Sequence, residues 1–264
     1  MLKKIKWLWR YRDLIRELTI KELKLRYKNS ALGFLWSFLN PLFMMLVYFV
    51  VFGKIFPQMR GANYPVYLLS GLLLWNFFSI SLINSAYSLI HNASLIKKIY
   101  FPREVFPIAT VLSNLINFLL SLIPFFIILA IFHRKIFNLN LLFAPIAIFF
   151  LFVMTIGFAF IISVISVYFR DFIQIMENLL LAWFFISPII YKEELILSNS
   201  SEKIKILYKL NPLYPIIKIF HSLFYIGKFP DIKTIYYCAL ISLFVFILGW
   251  IYFQRYEDKF VKLL

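Results

Sequence analysis

Residues 141–169 read LLFAPIAIFFLFVMTIGFAFIISVISVYF, a run without a single Asp, Glu, Lys or Arg. A helix needs about 20 residues, at ~1.5 Å each, to cross the hydrocarbon of a bilayer. This run is long enough on its own. The rest of the chain shares its character: of 264 residues, 62% are apolar and 15% charged, with 32 Phe, 16 Tyr and 6 Trp. A soluble domain is about half apolar and a quarter charged. The chain therefore reads as an all-α integral membrane protein with no soluble domain of ordinary size.

Working outward from that run, five more stretches qualify as spans. They cover residues 32–56, 65–89, 107–132, 173–191 and 232–253, which with 141–169 makes six. The fifth in chain order, 173–191, is the shortest and carries Glu177 inside it. Lys and Arg counts orient the spans. With the N-terminus in the cytoplasm, that side receives 17 basic residues; the other receives 11, seven of them in the long segment 192–233. Without that segment the split is 17 against 4, so both termini are expected to be cytoplasmic. Residues 1–31 hold ten Lys or Arg, too long a basic region for a secretory signal.

Three segments depart from a plain six-span pattern. In residues 1–31, Lys6, Arg10, Asp13, Glu17, Lys21, Lys24 and Lys28 recur every three or four positions, while Trp7, Tyr11, Leu14, Leu18 and Leu25 occupy another side. A basic face opposite Trp and Leu suits an amphipathic helix in the membrane interface, as an anchor or as the frame of a docking site. Residues 90–104 include HNASLIKKIYFPRE from His91 to Glu104, a short helical stretch ended by Pro102. Its Lys97 and Lys98 beside aromatics suit either interfacial snorkelling or insertion into a partner. Residues 192–231 are long for an unstructured loop; Leu210–Phe220 is too apolar to lie in water, and Ile216–Tyr225 is too short to span. A short helix dipping back into the outer leaflet or capping a cavity fits it, with Glu193–Tyr208 as a preceding surface helix.

Several chemistries lack their residues. No glycine-rich phosphate loop is present, so this chain does not hydrolyse ATP by that route. His91, His133 and His221 lie in separate segments, and the lone Cys238 sits in an apolar run, which leaves no metal site or disulfide framework. Asp171 and Glu177 lie within reach of Arg170, a local charge pairing, and no ladder of carboxylates crosses the spans. Glu193, Glu194 and Glu202 read as solvated helix residues rather than a catalytic pair. The net charge of +16 punctuates apolar runs and does not point to nucleic acid.

The segments LRYKNSALGFLW (Leu25–Trp36) leading to Asn40-Pro41-Leu42, then Phe101-Pro102-Arg103-Glu104, Phe169-Arg170-Asp171 and LNPLYP (Leu210–Pro215) carry a family resemblance across nearly the whole chain. In order and spacing they resemble the membrane subunit of bacterial ABC-2 type transporters. The resemblance is closest to the branch exporting cell-surface polysaccharides, O-antigen above all, with teichoic-acid and capsule exporters related. It implies two permease copies paired with two copies of a separate P-loop ATPase, which uses ATP and Mg while this chain binds no cofactor. It implies a coupling region at His91, Leu95, Lys97, Lys98, Tyr100, Arg103 and Glu104, and an interface helix with Arg10, Glu17, Lys21 and Arg26. It implies gate helices at the external mouth, with Pro212, Tyr214, Pro215 and Phe220. The implied substrate is a polyprenyl-pyrophosphate-linked glycan crossing the bacterial cytoplasmic membrane through a channel between the two copies. An ABC-2 exporter of a small lipid or drug is the nearest alternative.

Aromatic residues support a glycan independently of the resemblance. Trp36, Phe43, Tyr48 and Phe52 in the first span, with Trp183, Phe184 and Phe185 in the fifth, exceed the needs of an interfacial belt. Rings present flat apolar faces to sugar C–H groups and let a chain slide, although each also serves ordinary helix packing. Pro41 removes a helical hydrogen bond early in the first span and is expected to loosen that turn.

Overall fold

The computed structural model describes residues 8–28, 30, 32–55, 63–99, 101–132, 136–193, 201–260 and 263. Lys6, Trp7, Asn29, Ala31, Tyr100, His133 and Glu194 lie outside the described residues, as do the side chains of Phe34 and Phe52. The described chain is helical, with no strand among those residues. In order it forms α1 (Arg12–Tyr27), a 3-10 turn, α2 (Trp36–Ile55), α3 (Tyr64–His91), the short α4 (Ala93–Lys98) and α5 (Val105–Phe132). A second 3-10 turn (Leu139–Phe143) leads into α6 (Ala144–Tyr168), followed by α7 (Phe172–Ile186), α8 (Glu202–Lys209), α9 (Tyr214–His221), a π turn (Ser222–Ile226) and α10 (Ile232–Phe260).

Four of these stretches are long and apolar enough to cross a membrane: Tyr64–His91, Val105–Ala130, Leu139–Tyr168 and Ile232–Glu257. The other two expected spans are shorter apolar helices. The fifth stretch ends at Ile186 rather than 191, because Ser187 precedes Pro188 and takes an extended conformation (φ −91°, ψ 148°). At 15 residues α7 is roughly 22 Å long, short of a ~30 Å hydrocarbon layer. The last helix runs on past 253 to Phe260. Pro41 and Pro124 both sit inside continuous helices, so Pro41 does not interrupt α2.

The most extensive packing in the bundle joins α6 to α10, and α3 lies against both α5 and α6. Two glycines let the first pair approach. A Cβ at Gly249 would stand 2.0 Å from the carbonyl oxygen of Gly157, and one at Gly157 would stand 2.6 Å from that of Val245. Small residues bring helix backbones together where lipid supplies no hydrophobic drive between helices. Around the contact, Phe160 packs on Trp250 (5.6 Å between ring centroids) and Phe253 (5.2 Å). Hydroxyls in the core return to their own helix, as Thr155 Oγ1 donates to Leu151 O (2.7 Å) and Ser166 Oγ to Ile162 O (2.8 Å). These two hydroxyls are thereby satisfied without water.

The topology places α1, α4 and the C-terminal end of α10 at one end of the bundle. At the opposite end, Asn138 and Asn140 both donate to the carbonyl of Gly227 (2.6 and 3.1 Å), whose positive φ of 74° ends the π turn.

Candidate functional site

The short helix α4 follows α3 after Asn92, whose amide donates to Ser88 O (2.8 Å), and ends where Ile99 turns extended. Ile96 is buried and Leu95 half-buried, while Lys97, Lys98 and Ile99 face outward. His91 is exposed and stacks on Tyr87 at 5.1 Å. The remaining residues expected in the coupling set behave differently. Arg103 Nη1 lies 3.7 Å from the Glu257 carboxylate and donates to the Glu257 carbonyl (3.4 Å), and both side chains are largely buried. Glu104 is 1% exposed. The Arg103 contact fastens the start of α5 to the end of α10, while Lys97, Lys98, Ile99 and His91 are exposed.

The N-terminal helix is tied to the bundle by a polar seam that its amphipathic pattern does not announce. Arg10, Glu17 and Lys21 are exposed as expected. On the opposite face, the Glu22 carboxylate accepts from Thr110 Oγ1 (2.7 Å) and Ser113 Oγ (3.2 Å) of α5. Tyr27 OH donates to Asn117 Oδ1 and pairs with Ser37 Oγ (2.8 Å), and Lys21 Nζ reaches Asn92 Oδ1 (3.4 Å). Arg26 is half-buried; burial pushes its pKa below the ordinary guanidinium value, with Tyr27 and Glu22 pulling the other way. Replacing Glu22 with Leu is expected to cost about 1.5–3 kcal/mol, the range for hydrogen bonds to a charged group. Amide exchange across residues 13–27 reports it: the wild type protects α1, and the variant loses that protection while α5 keeps its own.

Above this seam lies a cavity of about 540 Å³ between α1, α2, α3 and α5. Its lining includes five asparagines, Asn40, Asn76, Asn84, Asn114 and Asn117, together with the ring of Trp36. A second cavity of about 410 Å³ runs from Asn84 to Lys21, His91 and Asn92. The two share Leu25 and Asn84 in their linings. Intramembrane polar residues are costly and generally face such cavities. A positional pattern for this cluster exists in the sequence, since Asn114, Asn117 and Ser121 are three and four residues apart.

At the opposite end Asn211 is a hub. Its Oδ1 accepts from Trp183 Nε1 (2.9 Å) and Leu213 N (3.0 Å), and its Nδ2 donates to Ser187 Oγ (2.9 Å). Pro212 is half-buried, whereas Tyr214, Pro215 and Phe220 are buried. Tyr214 OH donates to the Glu193 carboxylate, which Lys218 approaches at 3.0 Å; burial, then Glu193, raises the Tyr214 pKa and keeps the phenol protonated. His221 stacks on Tyr67 (3.8 Å between rings), and Tyr67 OH donates to Pro188 O (3.0 Å) and Tyr191 O (2.7 Å). The helix α9 is therefore wedged inside its own subunit; of the expected surface helix Glu193–Tyr208, residues 194–200 lie outside the described residues and α8 (Glu202–Lys209) covers its end.

The aromatic candidates divide. Trp36 and Phe43 are exposed, and Tyr48 is half-buried, stacked on Phe184 at 5.8 Å. Trp183 and Phe184 face inward: Trp183 meets Phe78 and Phe158 edge-on, and Phe184 lies against Trp75. The outward ring of α7 is Phe185. Exposed stripes at helical spacing include Trp36-Asn40-Phe43-Val47-Val50 on α2, Gln174-Glu177-Leu181-Phe185 on α7, Ile116-Leu119-Ile123-Ile127 on α5 and Tyr236-Leu240-Leu243-Ile247-Ile251 on α10. Arg170, Asp171 and Glu177 are all exposed, and no ion pair within 4.0 Å joins them among the described residues, so the expected charge pairing is not formed.

The fold is a helical bundle in which four helices are long and apolar enough to cross a membrane. The family model described as ABC-2 type transporter matches residues 13–225, and the chain belongs to that family. It is 32% identical over 262 residues to the O-antigen export system permease protein RfbA of Myxococcus xanthus, covering 99% of each chain. It is 31% identical over 255 residues to a protein of that description from Klebsiella pneumoniae, covering 96% of this chain and 95% of that one. Similarity to the polysialic acid transport protein KpsM of Escherichia coli is lower, 24% over 250 residues, covering 92% and 93%.

Proposed function

We propose that this chain is the permease subunit of an ATP-driven exporter of polyprenyl-pyrophosphate-linked polysaccharide, with an O-antigen glycan as its cargo. The observation that carries the reading is similarity along 99% of the chain to a protein described as an O-antigen export permease. Two copies meet through the uncovered stripes of α2 and α7, which bring Trp36, Phe43, Val47 and Phe185 to a shared passage. In this arrangement α2 and α7 complete six membrane crossings, with both termini in the cytoplasm of a bacterial inner membrane. The basic end, carrying 17 of the 28 Lys and Arg residues, faces a pair of P-loop ATPases. Helix α4 inserts Ile99 into the ATPase while Lys97 and Lys98 orient it. ATP and Mg act in that partner.

Gating belongs to α9 and the π turn. Their side chains are packed against α3 and α5, as with Phe220 on Phe118 and Phe224 on Phe125, so the external mouth is held by helices that move with the bundle. An apolar passage holds a sugar chain through ring faces and leaves it free to slide.

Mass spectrometry of what co-purifies with the tagged chain in mild detergent tests this reading. A P-loop ATPase in equal copy number, with a lipid-linked glycan, is the expected result. In the Lys97→Glu/Lys98→Glu double variant the ATPase is expected to fall at least about tenfold, as opposite charges at a steering patch become repulsive. An unchanged yield of ATPase in the double variant refutes the docking role of α4, and recovery of small lipids alone refutes the glycan.

A further inference from the structure

The last turns of α10 touch two parts of the chain that lie far apart in sequence. Glu257 meets Arg103, in the segment between α4 and α5: Arg103 Nη1 stands 3.7 Å from the carboxylate and donates to the Glu257 carbonyl at 3.4 Å. One residue earlier, the ring of Tyr256 lies edge-on to that of Tyr168 (6.0 Å between centroids) and packs on Tyr252 one turn back (4.7 Å). Tyr168 is the last residue of α6, and Phe169, Arg170 and Asp171 alone separate it from α7. We infer that Arg103 and Glu257 are positioning residues for transport, passing a displacement of α4 through the end of α10 to the α6–α7 corner. This rests on the export reading above, and it assigns a role to a stretch beyond residue 225, where the family match stops.

The joint has little slack on either side. Between α4 and Arg103, Phe101 is 5% exposed and lies edge-on to Phe106 at 5.5 Å, and Pro102 has a fixed φ, so a shift of α4 reaches Arg103. On the other side α10 is one continuous helix from Ile232 to Phe260. Its close approach to α6 at Gly157 and Gly249 is backbone against backbone, a contact that pivots more readily than it slides. Glu257 lies eight residues past Gly249, roughly 12 Å along the axis, so the end of α10 is a short lever about that contact. The lever's other load is Tyr168, and the three residues after it deliver any tilt to the first turn of α7.

The chemistry of the pair favours a link over a brace. The two side chains are 15% and 13% exposed. A largely buried charge pair repays its desolvation poorly, and apolar side chains of similar size would hold the two segments at least as firmly. What the pair adds is one directional partner and hence a fixed register between the α4–α5 segment and α10.

Glycan moved per ATP hydrolysed by the reconstituted permease–ATPase complex tests this. Arg103→Glu leaves Lys97, Lys98 and Ile99 in place, so the ATPase is expected to co-purify at wild-type yield. Glycan moved per ATP is expected to fall about tenfold, equal to ~1.4 kcal/mol of lost coupling. Glu257→Gln keeps the shape and the backbone acceptor, and a smaller loss in the same direction is expected. The exchanged pair Arg103→Glu/Glu257→Arg is expected to recover most of the transport. A second readout is independent of transport: native Cys238 is buried and Asn178 is exposed on α7, so Asn178→Cys reports on that helix. Its maleimide labelling is expected to change rate with ATP and Mg in the otherwise wild-type complex, and not in the Arg103→Glu complex. Wild-type glycan per ATP in both single variants overturns the inference. A lowered thermal midpoint with unchanged glycan per ATP marks a mere brace and overturns it too, as does an exchanged pair that recovers nothing. Loss of the ATPase from the Arg103→Glu complex places Arg103 on the docking surface, against the inference. An unmodified complex that hydrolyses ATP without moving glycan removes the export reading instead, and the α7 labelling then decides the link alone.

Discussion

Replacing Gly249 with Leu is expected to abolish assembly of the bundle. Even the first added carbon would stand 2.0 Å from the Gly157 carbonyl oxygen, and the neighbouring Gly157 C and Cα lie at 2.7 and 2.9 Å. All three are backbone atoms that no rotamer change can move. Overpacking a well-filled core costs about 1–3 kcal/mol when side chains can yield; here two helices must separate along the contact that also seats Phe160 against Trp250 and Phe253. The expected outcome is no monodisperse protein by size exclusion in detergent. Gly249→Ala is expected to assemble poorly, with a thermal midpoint well below wild type. Gly33→Ala, at a site with open space around it and a φ of 50°, should show only the smaller cost of a left-handed backbone. Normal assembly of Gly249→Leu would mean that α6 and α10 do not cross at this point.

The second large effect is expected at Asn211. Its substitution by Leu strands the Trp183 indole N–H and the Leu213 amide, and removes the donor to Ser187 Oγ, all within a buried corner. At about 1–3 kcal/mol for each stranded group, roughly 3 kcal/mol or more of stability is lost. Trp183→Phe removes one of these bonds and keeps the ring against Phe78 and Phe158, so about 1 kcal/mol is expected. Thermal unfolding in detergent ranks wild type, Trp183→Phe and Asn211→Leu in that order. Equal midpoints for all three would show that this corner does not hold α7 to α9.

The long apolar runs were readable as membrane helices because lipid demands uninterrupted apolar length, and the run at 141–169 satisfies it without a charge. The amphipathic face of the N-terminal segment was readable too, since Arg10, Glu17 and Lys21 recur at helical spacing and are exposed. What periodicity does not carry is which polar residues meet across helices. Glu22 looks like one more charge on a charged helix, yet it is the one that bonds to Thr110 and Ser113. Arg103 resembles Lys97 and Lys98 in sequence, but only a folded chain brings Glu257, 154 positions away, to its side. The inward direction of Trp183 and Phe184 likewise depends on neighbours in α3 and α6. For the same reason the asparagine cavity emerges only in three dimensions: Asn40, Asn76, Asn84, Asn114 and Asn117 come from three helices.

ATP-dependent glycan movement is the most direct test of the central claim. The purified permease–ATPase complex is reconstituted in proteoliposomes with its ATPase outward, and polyprenyl-pyrophosphate-linked polysaccharide is supplied from that side. The account predicts that the glycan becomes resistant to an added external glycosidase only when ATP and Mg are present. A glycan that stays fully digestible while the complex hydrolyses ATP would contradict it.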